Sequence, residues 1–191
     1  MAVFKLTEDF VFPNPELANE DGLLAVDGDL KAERILAAYS QGIFPWYAED
    51  TRILWWSPDP RLILYPSKII RSKSLVRTIK SNKYSCRFDT NFEAVIRECA
   101  KIPRDEENET WLVDEMIAAY LELHRLGYAH SVETYEKNEL VGGLYGISLG
   151  KAFFGESMFF KKSNASKVAL SYLCQQSEAW GFYFIDAQVE T

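Results

Sequence analysis

A period-two alternation of apolar and polar residues over His130–Tyr135 predicts a strand. Two more extended runs follow, Leu140–Ile147 and Lys151–Phe160, with a turn signal between them at Leu149-Gly150. With the connection at 136–139, the three runs predict an antiparallel meander. Gly142, Gly143, Gly146, Gly150 and Gly155 fall on or beside its last two strands. Glycine weakens a strand, so these positions mark either bulges and tight packing or the close approach of a ligand. The pattern alone leaves both readings standing.

Helical spacing appears on either side of the meander. Trp111, Met116, Ile117, Tyr120, Leu123 and Leu126 predict a helix over Trp111–Leu126, capped by Thr110 and stopped by Gly127. Val168, Ala169, Tyr172 and Leu173 form the inward stripe of a helix over Asn164–Trp180, with Ser163-Asn164 as its N-cap signal. Shorter helices are expected over Leu30–Gln41 (capped by Asp29), Ser72–Ser81, and Asn91–Lys101 (capped by Asp89 or Thr90). Strands are expected at Arg61–Tyr65, Tyr84–Phe88 and Phe182–Val189. On the last of these, strict alternation puts Phe184, Asp186 and Gln188 on one side and Ile185, Ala187 and Val189 on the other. A carboxylate and an amide are costly to bury unpaired, so they either satisfy each other and the backbone or face a site.

This succession predicts an α+β fold with a mostly antiparallel sheet. The first third reads differently. Phe10–Gly28 is rich in Pro, Asn, Asp and Gly and is expected to be irregular, and Pro58 and Pro60 break the stretch after Ile53. Trp46, Trp55 and Trp56 fall within this part, where they either plug a domain junction or stack on bases. A small N-terminal lobe, 1–62, followed by a larger domain, 63–191, is the expected division.

At 191 residues and 48% apolar, the chain can bury a core. It has no apolar run long enough to span a membrane and no signal-peptide pattern at its start. Cys86, Cys99 and Cys174 make no CxxC pair, which suits a reducing cytoplasm, and only two histidines are present, so neither a disulfide scaffold nor a metal cluster is expected. Net charge is −7, yet the segment from Lys68 to Arg104 carries ten basic residues against three acids. That segment holds Lys68, Arg71, Lys73, Arg77, Lys80 and Lys83; it is either a solvated face or a local phosphate-binding patch.

Eight motifs occur together and in one order: GLLAVDGDL (Gly22–Leu30), AYSQGIFPWY (Ala38–Tyr47), LWWSPDPR (Leu54–Arg61), AYLELHRLGYAHSVE (Ala119–Glu133), LVGGLYG (Leu140–Gly146), FGESMF (Phe154–Phe159), NASKVAL (Asn164–Leu170) and IDAQ (Ile185–Gln188). In these the chain closely resembles the bacterial leucyl/phenylalanyl-tRNA–protein transferases, from about Phe12 to its last residue. The resemblance implies a small N-terminal domain joined to one like the acyl-CoA N-acyltransferase (GNAT) fold. It implies a cytoplasmic monomer without metal or coenzyme, taking Leu or Phe, and weakly Met, from aminoacyl-tRNA. The acceptors are proteins beginning with Arg or Lys, which are thereby marked for N-degron degradation.

Residue by residue, the resemblance assigns Asp186 and Gln188 as the catalytic pair, with Asp186 polarising Gln188 and Gln188 orienting the attacking amine. Glu156 would hold the acceptor's charged N-terminus. Trp46, Trp111 and Tyr120 would surround the 3′-terminal adenosine, and Leu144 and Phe153 would line the pocket for the Leu or Phe side chain. The basic segment would meet the tRNA backbone. Ala187 stands where relatives often have Cys, and Ser177 lies where an aromatic is often found. Relatives continue past Thr191, so the larger domain is expected to lack its usual C-terminal end. A coenzyme-A-dependent acyltransferase would need a glycine-rich pyrophosphate loop, which KKSNASKVAL does not offer, and a non-catalytic RNA-binding module gives no reason for Glu156, Asp186 and Gln188.

Overall fold

The computed structural model describes residues 3–48, 50–102 and 112–189. Two sheets organise them. The first holds β1 (Phe4–Lys5), β2 (Leu23–Val26), β3 (Phe44–Pro45) and β4 (Leu54–Trp56) in the order β1-β2-β4-β3, with α1 (Ala32–Tyr39) between β2 and β3. The second is built from β5 (Leu62–Leu64), β6 (Ser85–Phe88), β7 (Ala129–Glu136), β8 (Glu139–Leu149), β9 (Ala152–Phe160) and β10 (Phe184–Gln188). Its order is β5-β10-β9-β8-β7-β6. Helices α2 (Lys73–Lys80), α3 (Phe92–Ala100), α4 (Asp114–Arg125) and α5 (Ala165–Ala179) complete the chain.

The expected meander is β7-β8-β9, antiparallel throughout. Helix α5 then carries the chain back so that β10 pairs with β9 in parallel, and β5 closes the edge antiparallel to β10. Both faces of this sheet are covered. Val132, Leu144, Phe153 and Ile185 pack with Ala169 and Leu173 of α5. Tyr145, Ile147 and Phe159 of the same meander belong to a cluster with α3 and α4 that runs on without a break to Ile35 and Tyr39 of α1 and Trp55 of the first sheet.

The first third is more regular than its composition suggests. Strands β2 and β4 lie in the stretches expected to be irregular. They are four and three residues long, too short for alternation to register, and are held by the fully buried Trp55, whose indole N–H donates to the Asp27 carbonyl at 2.8 Å.

Three expected caps belong to other groups. Asp29 accepts from Arg34 Nε and the Lys31 N–H just ahead of α1 instead of capping it. Asn164 stands at the start of α5 with φ of 66° and turns its side-chain amide to Thr78. At α3, neither Asp89 nor Thr90 caps: the buried carboxylate of Glu133 reaches across from β7 to the N–H groups of Thr90 and Asn91. That carboxylate meets the positive end of the helix, which favours it there. The expected start of α4 at Thr110 and Trp111 lies outside the described residues.

The glycines resolve towards packing. A Cβ on Gly142 would stand 2.5 Å from the Ala165 Cβ, so glycine lets α5 lie against β8. A Cβ on Gly146 would stand 2.1 Å from the Phe154 carbonyl oxygen. Gly146 sits where the β8–β9 register slips: Tyr145 pairs with Ser157, Gly146 with Gly155, and Glu156 is the extra residue.

Candidate active site

Two bulges build the site. On β9 the extra residue is Glu156, and on β10 it is Ala187, between the pairs Asp186–Ile63 and Gln188–Leu62. A bulge breaks alternation and re-aims the side chains beside it. Gln188, at φ of 64°, is carried off the side it would share with Asp186 and lines a cavity with Ile185 and Ala187. The expected facing of β10 is corrected here: strict alternation holds only as far as the bulge.

The cavity measures about 840 Å³. Leu64, Leu144, Phe153, Leu170, Leu173 and Ile185 give it apolar walls, Phe44, Pro45 and Trp46 border it from the first sheet, and Glu156, Ser157 and Gln188 bring polar groups to it.

Glu156 is the most constrained of these. Tyr39 of α1 donates to its Oε1 at 2.6 Å, Tyr120 of α4 to its Oε2 at 2.9 Å, and Gln188 Nε2 to Oε1 at 3.0 Å. The two phenol oxygens are 2.7 Å apart. Burial pushes the Glu156 carboxyl up to about 7, against the lowering effect of both phenols. Burial, reinforced by the Glu156 charge, lifts both tyrosines well above the usual phenol range.

Asp186 is 4% exposed. Its two oxygens accept from Arg61 Nε at 2.9 and 3.0 Å, and Oδ1 also accepts the Gln188 backbone N–H at 2.8 Å. The Arg61 guanidinium lies 4.8 Å over the Phe44 ring. Asp186 therefore fixes the backbone of the bulge. It does not touch the Gln188 side-chain amide, so the expected polarisation of that amide has no direct hydrogen bond behind it.

The other candidates divide. Leu144 and Phe153 form cavity wall. Trp46, 47% exposed, stands at the rim with its ring tilted against Trp56, whose indole N–H donates to the Trp46 carbonyl. Tyr120 is fully buried and presents its hydroxyl to Glu156; it has no open face on which an adenine could stack. Trp111 lies outside the described residues. Lys68, Arg71, Lys73, Arg77, Lys80 and Lys83 are all exposed, away from the cavity lining. Within that set Arg71 is tied to Ser171 of α5, and Lys83 lies 3.7 Å from Glu136. Tyr39 and Arg61 were not singled out by sequence reasoning. Both sit inside recognised motifs, AYSQGIFPWY and LWWSPDPR, and that was the available signal.

Known proteins are similar over the whole length of the chain. A family profile described as leucyl/phenylalanyl-tRNA protein transferase matches 63–191, and one described as the N-terminal domain of that transferase matches 28–59. A leucyl/phenylalanyl-tRNA–protein transferase of Syntrophobacter fumaroxidans is 57% identical over 100% of this chain and 82% of its own length. Those of Solidesulfovibrio magneticus and Anaeromyxobacter sp. are 55% and 54% identical, again over 100% of this chain and 77% and 81% of their own lengths. Among solved structures, one of L-PGS from Bacillus licheniformis aligns with 85% of this chain and 51% of its own at 12% identity and a TM-score of 0.45, too distant to bear on the fold.

Proposed function

The chain belongs to the leucyl/phenylalanyl-tRNA protein transferase family, and we propose that its cavity is where the ester of an aminoacyl-tRNA meets the amine of an acceptor protein. The reaction is aminoacyl transfer from tRNA to a protein N-terminus. A C–N bond forms at the ester carbonyl, the C–O bond to the terminal ribose breaks, and the ribose hydroxyl leaves. The donor is already activated, so neither ATP nor a covalent nucleophile is required. Holding the two reactants in register can supply about 7–11 kcal/mol of the barrier.

Each part of the cavity then has a task. Leu144 and Phe153 receive a Leu or Phe side chain by contact alone, which separates such substrates from Met only weakly, at roughly 1–3 kcal/mol per methylene. Trp46 offers the 3′-terminal base a ring to stack on. Glu156 takes the charged N-terminus of an acceptor beginning with Arg or Lys. With its Nε2 turned to Glu156, Gln188 keeps its amide oxygen as an acceptor for the amine's N–H. The exposed cations of α2 and its flanks meet the phosphates of the acceptor stem. The product enters N-degron degradation in the cytoplasm, and one copy of the chain suffices. No described helix is long and apolar enough to cross a membrane. We read the larger sheet as GNAT-like on its antiparallel meander and the single parallel pair β9–β10 bridged by α5.

The observation that carries this reading is the convergence of Glu156 and Gln188, 3.0 Å apart, on a cavity with mostly apolar walls. The test is transfer of labelled Leu or Phe from charged tRNA to a peptide beginning with Arg, with acyl-CoA offered in a parallel reaction. Transfer from the charged tRNA alone is expected; equal use of acyl-CoA overturns the reading.

A further inference from the structure

Tyr39, Tyr120 and Glu156 close a triangle of side chains: the phenol oxygens are 2.7 Å apart, Tyr39 lies 2.6 Å from Oε1 and Tyr120 2.9 Å from Oε2, and the carboxyl group joins the last two edges. All three edges lie in the O–H···O range. With Glu156 ionised, the triangle owns two hydrogens, one on each phenol, because a carboxylate only accepts. Two hydrogens cannot fill three edges, so one edge sets lone pair against lone pair. A single added proton on Oε2 completes the set. The carboxyl O–H then donates to Tyr120, Tyr120 to Tyr39 and Tyr39 to Oε1, each hydrogen bond running in the same circular sense.

Building on the cavity reading above, we propose that this ring is the base of the reaction, receiving the proton shed by the acceptor's α-ammonium. The ammonium gives one proton to the ring, and the Glu156 carboxylate becomes a carboxylic acid. The neutral amine attacks the ester carbonyl, and the C–N bond forms as the C–O bond breaks. The surplus proton left on nitrogen ends on the departing ribose oxygen, and the ring passes its own proton to solvent before the next turnover. Glu156 is the catalytic residue here, and Tyr39 and Tyr120 are positioning residues.

The remaining groups facing the ring fit this role. Gln188 donates to Oε1 in either protonation state. Asp186 is no rival base, since Arg61 and the Gln188 N–H already occupy it; its charge favours the protonated ring while that of Arg61 opposes it. Tyr145 of β8 faces Tyr39 and disfavours a phenolate there.

The experiment is single-turnover transfer at saturating acceptor, followed from about pH 5 to pH 9, for the wild type, Tyr39→Phe and Glu156→Gln. Glu156→Gln is expected to abolish the acid limb set by the enzyme and to slow transfer by about 100-fold or more. Tyr39→Phe removes two hydrogen bonds from the protonated ring and one from the ionised carboxylate, so its acid limb should move to lower pH while the acceptor KM stays unchanged. Tyr120→Phe, with circular dichroism to confirm folding, repeats the measurement at the second vertex. A Tyr39→Phe limb at the wild-type position, or at higher pH as the loss of a lone donor would give, overturns the ring. If Glu156→Gln raises only the acceptor KM and keeps rate and limb, the ring fails while Glu156 still binds the acceptor. If neither KM nor rate moves, both assignments fall.

Discussion

The side-chain amide of Gln188 donates to Glu156 Oε1 across 3.0 Å, joining the last strand to the bulge of β9. The Gln188 backbone is held separately by Asp186, which is itself held by Arg61. Orientation and anchoring are thus divided between two carboxylates.

That division separates two variants. Gln188→Ala should keep the fold and lose transfer rate, by about 10- to 100-fold for one hydrogen bond to a charged group. Asp186→Ala should lose rate and stability together, because it strands the largely buried Arg61 guanidinium; removing one partner of such a pair costs about 3 kcal/mol or more. Transfer assays alongside urea unfolding distinguish them. Equal stability of the two variants would count against the anchoring role.

Glu156 should write itself into the pH dependence of stability. Its folded value, about 7, lies above the ordinary 4.5. Below the ordinary value the carboxyl is neutral in both states. Between the two values the unfolded chain ionises first, so rising pH favours unfolding until the folded group also ionises. The contribution is present in acid and lost by neutral pH, a change of roughly 3 kcal/mol. Glu156→Gln should match the wild type near pH 4 and be the more stable protein near pH 8. Denaturant unfolding at the two pH values checks the sign.

Gly146→Ala should destabilise by about 2 kcal/mol or more, since the new methyl meets a backbone oxygen that cannot swing away. It should also depress transfer, because Gly146 lies opposite the bulge that aims Glu156. Thermal unfolding and the transfer assay should therefore move together. A folded, fully active Gly146→Ala protein would mean the bulge tolerates reshaping.

Arg77→Ala with Lys80→Ala removes two exposed charges from α2. The Kd for charged tRNA should rise, and the slope of log K against log salt should become shallower by about 1 to 2. The rate at saturating tRNA should not change. An unchanged salt slope would place the tRNA on another face.

Legibility followed element length. The meander and α5 are long, and their periodicity located them within a residue or two. Strands β2 and β4 were missed, because four and three residues among Pro and Asp carry no period. The motifs point to Asp186, Gln188 and Glu156 as candidates but not to their facing, since period-two reasoning has no way to see the extra residue at Ala187. Gly146 and Gly155 flagged the other bulge without saying which side chain it turned. Tyr39 escaped because a tyrosine on a short helix far along the chain from Glu156 looks like ordinary core until the fold brings the two together.

One vertex of the triangle of Tyr39, Tyr120 and Glu156 comes from α1, and so from the third of the chain that holds the smaller sheet. A chimaera that swapped everything before β5 for an unrelated cap could still offer apolar walls and a basic surface to a charged tRNA. It would not turn over unless the replacement also delivered a phenol to Glu156 and a cation to Asp186 in the place of Arg61. Any transplant of this chemistry onto another scaffold has to carry that first helix along.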